Sequence, residues 1–422
     1  VTGLAGCKAA ELAAQAESAD RLQRLCAALA LARQHSTEIK AYLADADPLI
    51  VDEVARAIHD DAGIPDLLAD LAAQIDGPAH GGIATIRRVI NACLRVGSPA
   101  LAAKVADFAV DGQQSQVLRL QALKALAVWS DPPRLDLLDG MSHPWTARDA
   151  AAVTAALQPH AAALMGAPEM EVRTAGLAVL LAHSLEAPPA ELQSIISDAK
   201  IDSLTRAAAL RLFASQNAKS QLFTTVLDIA LAKESPVELR MAGLEVAFAN
   251  APDRALKQAQ AILKKGKLQE RQHALKIMAT QATADALIST AFDDMLSGKL
   301  DPGLRLDVQE AAAARAASVP ALAEKISAYE AARLTPAGTT LITDLSAGGD
   351  ATLGKAIVSE HLGANCIACH TVETAEGSAV GPPLWTIGAQ KDIPYLLEAL
   401  LTPQAVVAPG FGMVSVTTKA GA

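Results

Sequence analysis

Apolar positions along the first three quarters of the chain recur at i, i+3 and i+4, the spacing of one buried helix face. The most regular instance is an Arg followed three and four residues later by a small and an aliphatic residue. It stands at Arg119 (Ala122, Leu123), Arg173 (Gly176, Leu177), Arg206 (Ala209, Leu210), Arg240 (Gly243, Leu244) and Arg271 (Ala274, Leu275). Looser copies stand at Arg24, Arg56, Arg88 and Arg305. Successive anchors are 31–34 residues apart, except for one interval of 54. A small residue on a helix face lets a neighbouring helix approach while the Leu fills the groove beside it. A period of about 33 residues holds two short helices and their turns. Turn formers precede several anchors, as in Asp45-Ala46-Asp47-Pro48, Gly112 and Glu234-Ser235-Pro236. The pattern predicts stacked helix pairs, an α-solenoid, in an all-α chain.

The composition agrees. Hydrophobic residues make up 51% of the 422 positions, yet there are only 3 Trp, 3 Tyr and 6 Phe, so the apolar mass is chiefly Ala and Leu, which favour helices over sheets. A net charge of −10 is the wrong sign for a generic nucleic-acid binder. No apolar run approaches the ~20 residues of a membrane span. The chain starts at Val1 without the apolar core of a secretory leader, as expected if a leader has been removed or if the chain is part of something longer.

The repeat pattern resembles HEAT-like repeats, in which an Asp-Pro turn precedes a Val-x-x-Arg-x-x-Ala-Leu helix. Val117 and Val172 stand two residues and one residue before their Arg, so the register is loose. The long interval contains Trp129-Ser130-Asp131-Pro132-Pro133-Arg134 and continues to Ser142-His143-Pro144-Trp145. It reads as an insertion packed back on the array, or alternatively as a partner-docking loop. Cys26 and Cys93 read as small buried thiols, and Cys7 is near enough in sequence to pair with Cys26. The Lys264, Lys265 and Lys267 run reads as a solvated turn. His35, His59, His80, His143, His160, His183 and His273 are scattered without metal-ligand spacing. No phosphate-binding Gly loop, His-Glu-x-x-His or Gly-x-Ser-x-Gly occurs.

Breakers at Thr335-Pro336-Ala337-Gly338 and Ser346-Ala347-Gly348-Gly349 divide the chain into a repeat array over 1–334, a linker over 335–347 and a small unit over 348–422. In that unit an amphipathic helix over Asp350–His361 leads into Cys366-Ile367-Ala368-Cys369-His370. Cys-x-x-Cys-His is the attachment signature of c-type haem: two thiols one helical turn apart can each join a haem vinyl group, and the next residue can present its imidazole to the iron. A redox Cys-x-x-Cys would need a βαβ context. A zinc site would need Cys366, Cys369, His370 and His361 to converge. A short helix follows over Ile393–Leu401, with Tyr395, Leu396, Leu397 and Leu400 on its apolar side and Thr402-Pro403 as its stop.

Gly381-Pro382-Pro383-Leu384 with Gly388 resembles the Gly-Pro-x-Leu loop of class I cytochromes c. That resemblance implies that the Pro382 carbonyl accepts a hydrogen bond from His370 Nδ1, with Leu384 also at the haem. The one Met after the motif, Met413, is the candidate sixth iron ligand. A packing Met with an open sixth position, and His361 as the ligand, remain alternatives.

The last 75 residues look like the haem-binding domain of large secreted planctomycete and verrucomicrobial proteins. The matching stretches are Gly354-Lys355, Cys366 to His370, Val380 to Leu384, Tyr395 to Glu398, Ala408 to Phe411 and Val414 to Thr418. In that family the domain commonly follows HEAT-like repeats and a sorbosone/glucose-dehydrogenase-like propeller, which this chain lacks. The resemblance implies one covalent haem c, His370 and Met413 as iron ligands, and a periplasmic or secreted setting. It also implies single-electron transfer from a dehydrogenase domain or a redox partner protein. Two further readings stand beside it. One is an interaction scaffold with a sensing or structural haem and a protein ligand on the solenoid. The other is a piece of a sugar or alcohol dehydrogenase whose catalysis lies elsewhere, so no catalytic residue is assigned to this chain.

Overall fold

The computed structural model describes residues 6–60, 63–77, 81–145, 148–332, 343–361, 364–373 and 380–412. About 70% of it is helical, with no strand among the described residues, so the protein is all-α. An isolated bridge between Leu135 and Ser142 is the one extended pairing described. Packing divides the chain into two compact units, Val1–Asn250 and Ala251–Ala422.

Every Arg anchor lies on a helix. In the first unit these helices are α1 (Arg21–Arg33), α2 (Pro48–His59), α3 (Ile83–Val96), α4 (Gln116–Ala127), α5 (Met170–Ala182), α6 (Ser203–Asn217) and α7 (Val237–Asn250). In the second unit they are α8 (Leu268–Met278) and α9 (Arg305–Ala316). Within each unit each anchor helix packs against the next, and helices such as Pro99–Val110, Pro189–Ser197 and Gln221–Leu231 pack against the anchor helix that follows them. Side chains near the helix starts meet across neighbours. Gln116 Nε2 donates to Glu171 at 2.9 Å, and the hydroxyls of Thr174 and Thr205 lie 2.7 Å apart. Helices α4, α5 and α6 therefore run parallel and in register.

The small anchor residue acts by proximity. A Cβ on Gly176 would stand 2.9 Å from the Leu164 side chain, and one on Gly243 would stand 3.0 Å from Leu231. The Arg ties neighbouring helices together, and Arg119 reaches both of its neighbours. Arg119 Nε donates to the Ala109 carbonyl at 3.0 Å, and Arg206 Nε to the Ile196 carbonyl at 2.8 Å, each near the end of the preceding helix. Such carbonyls have no partner inside their own helix. On the other side Arg119 meets Glu169 at 2.9 Å and Arg173 meets Asp202 at 3.4 Å, the N-cap residues of the next anchor helices. Arg24 meets Asp45 at 2.8 Å and Arg271 meets Asp301 at 3.0 Å, acids in the turns ahead of the next anchor helices. Burial would raise the Asp202 carboxyl, but Thr205 and Arg173 together hold it below its ordinary value.

The interval of 54 residues packs back on the first unit. Trp129 is buried, and the Arg148 guanidinium lies 5.7 Å from its ring centre and 5.4 Å from that of Trp145. Burial lowers the Arg148 pKa. Arg95, reaching from α3, binds Asp136 at 2.9 Å and Asp139 at 2.6 Å, and all three side chains are buried. All five cysteines are free thiols, so Cys7 and Cys26 are not joined. Cys93 is fully buried and its thiol is pushed up to about 12 by that burial, whereas Cys26 is only half-buried.

In the second unit, Thr343–Gly348 forms a 3-10 turn packed on Pro302–Leu304 and α9. Gln272 on α8 donates to the carbonyls of both Gly303 and Gly348 at 3.0 Å, and Gln269 reaches Asp350 at 3.3 Å. The later part of the expected linker is thus tied to the repeat helices, while 335–342 lie outside the described residues.

Replacing Gly176 by Val should destabilise the protein by about 1–3 kcal/mol through overpacking against Leu164. Gly112→Ala, whose Cβ would meet nothing within 4 Å, should leave the urea midpoint unchanged. Arg95→Ala should cost about 3–5 kcal/mol at neutral pH, because it leaves the buried carboxylates of Asp136 and Asp139 without their counter-charge. Urea denaturation of the three variants beside the parent measures both effects.

Candidate functional site

Asp350 begins the site: its carboxylate accepts the backbone N–H groups of Thr352 and Leu353 and caps helix α10 (Ala351–Glu360). This helix packs on the following Cys366–Ala368 3-10 turn. Asn365 enters the turn at φ 41°, in the left-handed region that Asn tolerates. The His370 N–H then donates to the Cys366 carbonyl at 3.0 Å, closing one helical turn around Cys366-Ile367-Ala368-Cys369-His370. Cys369 is exposed, and Cys366 and His370 are half-buried.

His370 Nδ1 lies 2.7 Å from the Pro382 carbonyl. A carbonyl can only accept, so Nδ1 carries the proton, and the Nε2 lone pair is left to act as a ligand. Two backbone bonds hold the loop in place: Gly381 N–H donates to the Cys369 carbonyl, and Leu384 N–H to the Thr371 carbonyl, both at 2.8 Å. A Cβ at Gly381 would stand 2.7 Å from His370 Cε1 and 2.9 Å from the Cys369 carbonyl oxygen. Only glycine allows this approach. The structure thus brings Cys366, Cys369, His370, Pro382 and Leu384 into one local unit. Met413 lies outside the described residues. His361 accepts the Ala364 N–H on its Nδ1 at 3.0 Å.

No protein-family model, curated protein or solved structure matches the chain. The chemistry of the site therefore rests on its own residues.

The described residues contain no strand for a βαβ redox motif to sit on. Nor do Cys366, Cys369, His370 and His361 bring three ligand atoms within 4.8 Å of one another, as a tetrahedral zinc site requires. Two thiols and an imidazole one turn apart, not converging on a point, suit a group large enough to meet them separately. Around them the apolar surface is unusually open. Helix α10 and helix α11 (Ile393–Leu401) have no fully buried side chain, and Leu353, Ile357, Ile367 and Trp385 face solvent. Leu400, expected on the apolar side of α11, is 77% exposed. These features fit a large, flat, apolar group such as haem.

A second set of ligand-type side chains, Asp136, Asp139 and His143, converges in the long insertion. Its spacing is visible in the chain, but Arg95 lies 41 residues from Asp136, and its guanidinium binds both acids. That guanidinium already occupies oxygens of both acids, and His143 meets Asp139 at 2.9 Å.

Gly381→Ala should displace the Pro382 carbonyl and expose the Nδ1 proton of His370 to fast exchange, whereas Gly388→Ala, with open space around its Cβ, should not. The imidazole N–H resonance of His370 in NMR spectra reads the difference.

Proposed function

We propose that the chain is a c-type cytochrome: a HEAT-like α-solenoid carrying a small class I-like cytochrome c module that moves single electrons. The observation that carries this reading is the His370 Nδ1 to Pro382 carbonyl bond within Cys366-Ile367-Ala368-Cys369-His370, because it leaves Nε2 free beside two thiols. When bound, haem c supplies a one-electron iron couple. Cys366 and Cys369 would hold it covalently and His370 would bind its iron, while the Pro382 carbonyl fixes the imidazole's orientation and raises its basicity. Leu384 would line the haem site, and Met413 would be the second iron ligand.

The solenoid reading is supported by the packing of each anchor helix on the next within a unit, by the parallel register of α4, α5 and α6, and by the Arg contacts that repeat between them. Covalent haem attachment takes place outside the cytoplasm, so the setting is periplasmic or secreted. The electron donor is a dehydrogenase domain or partner protein, consistent with the planctomycete and verrucomicrobial resemblance. No helix is long and apolar enough among the described residues to cross a membrane.

The interaction-scaffold reading has an observation of its own. Leu22, Leu49, Val117 and Leu204 are exposed in the first turns of α1, α2, α4 and α6, which suits a protein ligand lying along that edge.

The test is expression with the c-type maturation machinery, followed by haem staining after denaturing electrophoresis. The parent should stain, and the double variant Cys366→Ser/Cys369→Ser should not. Absence of stain in the parent overturns the proposal. Met413→Ala should lose the weak charge-transfer band of a Met–iron bond and gain carbon monoxide binding when reduced. Carbon monoxide binding by the reduced parent would instead favour sensing.

A further inference from the structure

A cavity of about 300 Å³ lies inside the first unit, between α2, α3 and the helices Leu68–Ala72 and Pro99–Val110. Val51, Leu71 and Val89, each 3% exposed or less, form its wall together with Phe108. Among the described residues no charged side chain lines it, so a carboxylate or ammonium entering it would lose hydration without a counter-charge from them. Its volume is at the lower end of the range for small-molecule sites.

The polar lining is narrow in character. Thr85 Oγ1 donates to the Asp52 carboxylate, so its hydrogen is committed. Gln114 Nε2 donates to Asp111 Oδ2 at 3.0 Å. The Gln113 N–H and the Gln114 amide hold the Asp111 carboxyl below its ordinary value, so Asp111 is ionised at neutral pH and can only accept. That fixes which end of the Gln114 amide faces Asp111 and leaves its Oε1 without a partner among the described residues. Gln74 likewise uses Nε2 on the Asp70 carbonyl, at 3.5 Å. Each glutamine keeps its oxygen and one N–H, and Thr85 keeps its hydroxyl lone pairs, so the three polar residues offer a ligand acceptor oxygens together with two amide hydrogens.

The geometry points to a binding site for a small neutral molecule of the phenol type, its ring between Val89 and Phe108 and its hydroxyl donating to a glutamine oxygen. The apolar wall selects the ring, the glutamine oxygens accept from the O–H, and no cation among the described lining residues is there to hold the carboxylate analogue. This inference stands on the cavity alone and does not depend on haem.

Isothermal titration of the full chain with 4-propylphenol, propylbenzene and 4-propylbenzoate tests it. The phenol should bind saturably at one site. Propylbenzene should bind about tenfold more weakly, the worth of one hydrogen bond. The benzoate should show no heat. Val89→Phe, which fills the cavity, should abolish binding. The double variant Gln74→Leu/Gln114→Leu should bring the phenol's affinity down to that of propylbenzene, and it decides the matter if Val89→Phe does not fold. No saturable phenol binding, equal binding of the benzoate, phenol affinity unchanged in the glutamine double variant, or full binding by a folded Val89→Phe each overturns the site.

Discussion

Guanidinium groups tie successive helices of the first unit together, and that of Arg119 serves two helices at once. Arg119 and Arg206 each give a hydrogen to a carbonyl at the end of the helix before. Arg119 and Arg173 each meet the acidic N-cap of the next anchor helix. A buried charge is costly unless it is paired and hydrogen-bonded. Here the pairing is with groups that helix geometry leaves unsatisfied anyway, so one side chain resolves both problems. The helix spacing follows, and with it the small residue three positions on, because the backbone of the neighbour must come close enough for the Arg to reach.

The long insertion obeys the same rule with different partners. Arg95 and Arg148 both lie under it. One is paired with Asp136 and Asp139, and the other is spread over the faces of Trp129 and Trp145. Two of the three tryptophans of this aromatic-poor chain are used here, where the regular Ala and Leu packing is interrupted.

The Cys-x-x-Cys-His unit is organised by a contrasting principle. The repeat units bury their apolar side chains against one another, whereas the segment around Cys366 to His370 leaves Leu353, Ile357 and Trp385 facing solvent. Its order comes from polar contacts: the Asp350 cap, the two backbone bonds of the Gly381 to Leu384 loop and the His370 to Pro382 bond. Gln272 and Gln269 tie the residues ahead of the unit to α8, so the repeat helices set where it begins.

Much of this was written in local patterns. The i, i+3, i+4 spacing gave the anchor helices and their repeat, because helix periodicity is a property of neighbouring residues. Cys366, Cys369 and His370 were legible for the same reason, and the Gly381 to Leu384 loop through its resemblance to a known loop. What stayed hidden were contacts between residues far apart in sequence. Nothing local says that Arg95 will pair with both Asp136 and Asp139, that Gln272 will seize the Gly348 carbonyl, or that a cavity will open beside Val89. Nor does the amphipathic spacing of Ile393–Leu401 reveal that Leu400 will face outward. Periodicity determines which face of a helix is apolar; only the packed chain decides what that face meets, because the partner comes from elsewhere in the sequence.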